Sequence, residues 1–105
     1  MTDPLEPERC AGLLKALADP DRLRIIRQLC GGPKKVMELA SLLEAPLVNI
    51  SHHLSVLRKS GVVQDHKQGR FVIYQLNPQV FQPTDSGSPK EYLDMGCCRL
   101  EIPKN

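Results

Sequence analysis

The apolar residues in the first sixty positions recur at intervals of three and four, the spacing that places side chains on one face of an α-helix. The pattern breaks at Asp19–Pro20, where an N-cap carboxylate precedes a proline suited to the first helical turn, at Gly31–Pro33 and at Ala45–Pro46. Four helices are therefore predicted, at residues 8–18, 20–30, 36–44 and 47–60. The predicted buried faces include Leu23, Ile26, Leu29 and Cys30 in the second helix and Leu47, Ile50, Leu54 and Leu57 in the fourth.

After Gly61 the period changes from 3.6 to 2, and two short strands are predicted between residues 62 and 76, joined around Gln68–Arg70. Beyond Asn77, four prolines exclude a long closing helix, and only Lys90–Met95 has a briefly helical pattern. The predicted fold is mainly α with a small β-hairpin, an α+β class. It is divided into a flexible leader at 1–7, a folded domain at 8–76 and an irregular, proline-containing tail at 77–105.

Two short helices separated by a tight break and followed by a hairpin predict a winged helix-turn-helix, in which the second helix of the pair fits the major groove of DNA. Short polar side chains on that helix can reach base edges or phosphates, and basic residues at the hairpin tip suit phosphates or the minor groove. The candidate DNA-binding residues are Asn49, Ser51, His52, His53, Ser55, Lys59, Lys67 and Arg70. For His53, helix packing or phosphate contact comes ahead of base reading. The alternative for the polar residues of this helix is a face that is simply solvated. The hypothesis of another class is a winged helix that serves as a protein-interaction module and does not bind DNA.

The distribution of charge and the length of the chain restrict the classes of function that fit the sequence. The formal charge of the 105 residues is only +2, but between positions 46 and 76 four basic residues face a single acidic one. A chain of this length forms a single domain, which excludes a multidomain enzyme. So small a domain leaves much apolar surface exposed, and a partner subunit could bury it. No nucleophile with a positioned base and no phosphate-binding loop supports an enzyme. No apolar run predicts a membrane span or a signal peptide, so a cytoplasmic protein is expected.

Four segments in order, LLKALADPDRLRIIRQL, VMELASLL, ISHHLSVLRKSGVV and GRFVIYQL, resemble the ArsR/SmtB family of bacterial repressors over residues 10–76. The resemblance implies a homodimer that binds an inverted-repeat operator and releases it on binding an inducer. It places Asn49, Ser51, His52 and His53 on the recognition helix and Arg70 on the wing. Two departures stand out: Lys35, Val36 and Met37 replace the Cys-Val-Cys sensor of some members, and the histidine-free tail lacks the zinc ligands of others.

The cysteines are the candidate sensor, because in a reducing compartment thiols more often bind metals or react than form structural disulfides. Cys97 and Cys98 follow Gly96, which can bend the backbone so that both sulfurs reach one ion. The family resemblance, in which the first helix packs on the C-terminal element at the dimer interface, adds Cys10 of the same or the other chain as a third ligand. Thiolates select soft ions, and trivalent arsenic prefers three sulfurs. Cys30 is expected to be inert core.

The leading hypothesis is a repressor that requires no cofactor and is released by a thiophilic ion, most simply trivalent arsenic, at Cys97, Cys98 and Cys10. The alternative keeps DNA binding but makes the cysteines a redox or reactive-sulfur switch, in which oxidation links different chains or reaches Cys10. A further alternative is that Cys97 and Cys98 only pack the tail.

Overall fold

Within residues 6–82 and 90–103, which this computed structural model describes, the chain forms four helices and six short strands. The helices are α1 (Pro7–Leu17), α2 (Pro20–Cys30), α3 (Val36–Leu43) and α4 (Leu47–Lys59). The strands are β1 (Lys34–Lys35), β2 (Val63–Gln68), β3 (Phe71–Leu76), β4 (Phe81–Gln82), β5 (Lys90–Asp94) and β6 (Arg99–Pro103). The predicted helices are confirmed to within two residues. The predicted leader lies mostly outside the described residues, and Pro7 already belongs to α1.

The hairpin after α4 is the predicted wing. Gly61, with φ +86°, follows the last helical turn in the left-handed conformation that favours glycine, and the chain then enters β2. Strands β2 and β3 pair antiparallel from Val63↔Leu76 to Gln68↔Phe71, and the short β1 adds to the other edge of β3. The predicted mainly α fold with a β-hairpin is therefore present.

The tail differs from the prediction. Its described part is an antiparallel sheet in the order β4-β5-β6 rather than irregular chain, and the expected short helix at Lys90–Met95 is wrong. A single helical turn is costly to nucleate, whereas pairing β5 with β6 gives backbone N–H and C=O groups of both strands hydrogen-bond partners. The pairing also lets Leu93, Met95 and Ile102 join the core formed by the helices.

The buried face of α2 is rotated from the prediction. Ile25 is fully buried beside Ile26 and Leu29, whereas Leu23 is 40% exposed. In α4, Ile50, Leu54 and Leu57 are buried as predicted, but Leu47 in the first turn is 49% exposed. Cys30 is half-buried and packs against the core.

The start of α2 has the predicted cap. Asp19 Oδ1 accepts the backbone N–H groups of Asp21 at 2.8 Å and Arg22 at 3.1 Å. These hydrogen bonds, with that from Arg22 as the largest cause, hold the pKa of Asp19 below its ordinary value of 3.8.

Acid should therefore weaken this cap. A carboxylate whose pKa is lowered by folding stabilises the protein fully above its unfolded value of 3.8, and this contribution is lost as the pH falls through the lower folded value. In Asp19→Asn the side chain still accepts the N–H groups but does not titrate. We expect urea unfolding between about pH 5 and pH 2 to show a smaller loss of stability in Asp19→Asn than in the wild type. Equal losses would contradict the prediction.

Candidate functional site

The exposed surface of α4 carries most of the polar residues predicted to contact DNA. Asn49, Ser51, His52 and Lys59 are exposed, and Ser55 is half-buried. The break before the helix is tight: Glu44 adopts a left-handed φ of +51°, and Pro46 accepts the backbone N–H groups of Asn49 and Ile50. This tight turn joins α3 to α4 in the order of a helix-turn-helix.

One exposed residue of α4 was not predicted. Val48 is 73% exposed in the first helical turn, between Leu47 and Asn49. An exposed aliphatic side chain at this position suits contact with a thymine methyl group in the major groove. Its place outside the three-and-four spacing of the core face was the available signal.

His53 occupies a different environment from its neighbours on α4. Its side chain is only 14% exposed, with Nδ1 3.3 Å from Arg22 Nη1 and Nε2 3.8 Å from Asp21 Oδ2. Asp19, Asp21 and His53 have ligand atoms within 4.8 Å of one another. However, Arg24 Nη1 lies 2.6 Å from Asp21 Oδ1, and two guanidinium groups at the cluster oppose a bound cation. The contacts make His53 a link between α2 and α4.

The wing presents its basic side chains at the tip. Lys67 and Arg70 are exposed on either side of Gly69, whose φ is +63°. In β2, Asp65 Oδ2 lies 4.0 Å from Nη1 of Arg58 in α4. The acidic residue of the wing is therefore paired with an arginine of α4. Lys35 Nζ lies 3.8 Å from the centroid of the half-exposed Phe71 ring. The ammonium group of Lys35 therefore lies beside the wing tip that carries Lys67 and Arg70.

The structure brings together the three cysteines of the predicted sensor. Cys10 is buried in α1, and Cys97 and Cys98 are half-buried in the turn between β5 and β6. Cys10 and Cys97 form a disulfide across 87 positions of sequence. Cys98 Sγ lies 3.8 Å from Cys10 Sγ and 4.0 Å from Cys97 Sγ. All three sulfurs lie within 4.8 Å of one another.

A glycine turn aims both adjacent cysteines at α1. Gly96 has φ +86°, and Met95 N–H donates to Cys98 O at 3.0 Å, which closes the turn. Arg9 Nη2 donates to Met95 O at 2.9 Å, and a Cβ on Gly96 would lie 3.0 Å from the same nitrogen. Contacts from both Arg9 and Cys10 therefore tie α1 to this turn.

Comparison with known proteins gives a consistent result. The family described as bacterial regulatory protein, arsR family, matches residues 19–65. The transcriptional repressor SdpR of Bacillus subtilis is 37% identical over 70 residues, which cover 67% of this chain and 78% of SdpR. The arsenical resistance operon repressor of Escherichia coli is 42% identical over 69 residues, which cover 65% of this chain and 59% of that protein.

Solved structures agree in fold. Reduced HlyU from Vibrio cholerae superposes with a TM-score of 0.64 at 37% identity, covering 67% of this chain and 74% of HlyU. The homodimeric winged helix-turn-helix DNA-binding domain of a possible ArsR-family regulator from Mycobacterium bovis gives a TM-score of 0.66 at 28% identity, with coverages of 69% and 67%.

These relatives confirm the winged helix-turn-helix, and they are transcriptional regulators rather than enzymes. In the part of the chain that the structure describes, no helix has the length and apolarity to cross a membrane. The match to SdpR across most of that protein, together with the family match over α2 to β2, shows that the chain belongs to the ArsR family of bacterial transcriptional regulators.

Proposed function

We propose that this protein is a homodimeric repressor that binds an inverted-repeat operator and releases it when trivalent arsenic or another thiophilic ion binds Cys10, Cys97 and Cys98. The observation that carries the proposal is the convergence of three sulfurs, one from α1 and two from the β5–β6 turn, within 4.8 Å. Such a cluster supplies the three soft ligands that trivalent arsenic takes. The naming of one relative as an arsenical resistance operon repressor supports the same inducer class.

DNA binding would use the exposed part of α4 and the wing. Asn49 suits bidentate contact with adenine, Ser51 and His52 suit bases or phosphates, and Lys67 and Arg70 suit the phosphate backbone. Ser55 and Lys59 lie farther along α4 and suit phosphate contact. The burial of His53 against α2 favours a packing role over base contact.

Arsenic binding would require three thiols. Two external thiols first reduce the Cys10–Cys97 disulfide by thiol–disulfide exchange, giving two protein thiols and one external disulfide. Arsenous acid then exchanges its three hydroxyl groups for three sulfurs, forming three arsenic–sulfur bonds and releasing three water molecules. The new bonds would draw α1 and the turn into one fixed arrangement, and operator affinity would fall to the extent that this arrangement is incompatible with DNA binding.

A second candidate inducer is an oxidant, favoured by the disulfide itself. Cys10 and Cys97 are bonded within one chain. This bond corresponds to the redox alternative in which oxidation reaches Cys10. Hydrogen peroxide would accept two electrons and two protons from the two thiols, giving the disulfide and two water molecules. In this reading the disulfide form is the released state, and Cys98 is not required.

Cys98→Ser separates the two inducers. Operator binding is measured by fluorescence anisotropy with DNA from upstream of the protein's own gene, before and after arsenite or hydrogen peroxide, starting from fully reduced protein. The arsenic mechanism predicts that Cys98→Ser greatly weakens the arsenite response, whereas the oxidant mechanism predicts that the peroxide response survives. Cys30→Ser, outside the cluster, is the control. Absence of salt-dependent operator binding by the wild type would favour a protein-interaction module instead.

The salt dependence of operator affinity should report the wing. Operator affinity falls as the salt concentration rises, and each phosphate contact that is lost reduces the magnitude of the slope of log affinity against log salt by about one. We expect Lys67→Ala and Arg70→Ala each to reduce the slope by about that amount per subunit and to weaken binding similarly across DNA sequences. The exposed Lys15 of α1, replaced by alanine, is the control of equal charge change. An unchanged slope in both wing variants would argue against phosphate contact by the wing.

A further inference from the structure

We propose that Arg22 is a positioning residue that transmits the chemical state of the sulfur cluster to α4. This inference rests on the proposed function, because it concerns how an inducer at Cys10, Cys97 and Cys98 alters DNA binding by α4. The guanidinium of Arg22 lies at the junction of α1, α2 and α4, and it contacts groups on both α1 and α4.

The first half of α1 is fixed to the sensor turn. Cys10 is bonded to Cys97 and lies 3.8 Å from Cys98 Sγ, and Arg9 donates to Met95 O. Breaking the disulfide, or inserting an ion among the three sulfurs, changes the distance between α1 and the turn. Because α1 is a short continuous helix, a shift of its first half is carried to its last turn.

Arg22 receives that shift at the last turn. Its Nε donates to the carbonyl oxygen of Ala16, and its Nη1 lies 3.3 Å from His53 Nδ1. Since arginine carries only donors, Nδ1 of His53 accepts this hydrogen bond. The guanidinium is a rigid planar group, so its nitrogens cannot adjust independently. Displacement of the Ala16 carbonyl therefore lengthens or breaks one of the two contacts.

The backbone N–H of Arg22 is held by Asp19 at the cap of α2, so the backbone of Arg22 is fixed within α2. The strain consequently falls on His53, which lies in α4 directly after the exposed Ser51 and His52. These contacts give a continuous physical route from Cys10 to the candidate DNA-contacting face. A change in the Arg22–His53 contact would alter how α4 is held against α2.

The test compares operator affinity without and with arsenite, starting from reduced protein, and reports the ratio of the two dissociation constants. Arg22→Lys keeps the charge but loses the rigid fork. We expect it to bind arsenic with wild-type stoichiometry while the ratio falls by about 2- to 30-fold, toward one. Arg24→Lys is the matched control, since Arg24 is exposed on the same helix and pairs with Asp21. It should keep the wild-type ratio.

Two variants of the partner complete the test. His53→Asn retains an acceptor near the position of Nδ1 and should keep more of the ratio than His53→Leu, which has none. Thermal unfolding is followed in parallel to show that each variant is folded. If Arg22→Lys and His53→Leu weaken operator binding equally with and without arsenite, leaving the ratio unchanged, Arg22 is merely structural and the inference is overturned. If the wild type itself shows a ratio of one, the proposed arsenic response fails, and this inference fails with it.

Discussion

Replacing Cys10 with serine should abolish the release of operator DNA by arsenite and by hydrogen peroxide alike. Cys10 supplies the sulfur that α1 contributes to the cluster. Its replacement removes the third arsenic ligand and also the partner of Cys97 in the disulfide. Allosteric coupling in such systems is typically about 1–3 kcal/mol, a change in affinity of about 5- to 150-fold. We expect that entire ratio to fall to about one in Cys10→Ser, measured by anisotropy on reduced protein.

The control for this prediction is Cys30→Ser, because Cys30 lies at the end of α2 and outside the three-sulfur cluster. It should respond to both reagents like the wild type. An undiminished response to both reagents in Cys10→Ser would contradict the sensor assignment. A response confined to arsenite would show that Cys97 and Cys98 suffice for the ion.

The second large effect concerns stability. Leu54 is completely buried on the inner face of α4, in the core shared by helices, wing and tail. Truncation of a fully buried leucine to alanine removes apolar burial and leaves a cavity, at a cost of about 2–5 kcal/mol. We expect Leu54→Ala to lower the free energy of unfolding by this amount in urea denaturation, under one fixed redox condition.

Val48→Ala is the matched comparison for Leu54→Ala. It truncates another aliphatic side chain of the same helix, but one that is 73% exposed. Surface changes of this kind usually alter stability by no more than about 0.5 kcal/mol. Similar losses in the two variants would show that α4 is not packed as described. A loss of operator affinity in Val48→Ala without a loss of stability would support its contact with a thymine methyl group.

The helices and the wing were predictable because their signals are local. Asp19 and Pro20 define the start of α2 whatever surrounds them, and Gly61 ends α4 by its own conformational freedom. The exposed polar residues of α4 followed from the periodicity that buries Ile50, Leu54 and Leu57. Leu23 and Ile25 show the limit of this reasoning, since two adjacent apolar stripes fit α2 and only the neighbouring elements select one.

The tail was poorly predicted because its structure is not local. Nothing in the five residues of β5 favours a strand strongly until β6 supplies the paired backbone, and each strand alone would be unstable. Similarly, periodicity left His53 between the core and the exposed face of α4. Its contacts with Arg22 and Asp21 come from a different helix, thirty-one positions away in the case of Arg22.

The sequence by itself determined the order of helices and wing, the polar face of α4 and the basic tip at Lys67 and Arg70. It also placed Cys97 and Cys98 side by side directly after a glycine. Helix caps, turn residues and periodicity act over a few positions, so they can be recognised in the sequence without knowledge of the fold. The tertiary structure decided that Cys10, which the family resemblance proposes as a third ligand, meets these two cysteines. It alone showed that Arg22 joins α1 to His53. Those contacts link distant positions, and they depend on how whole helices pack around a common core.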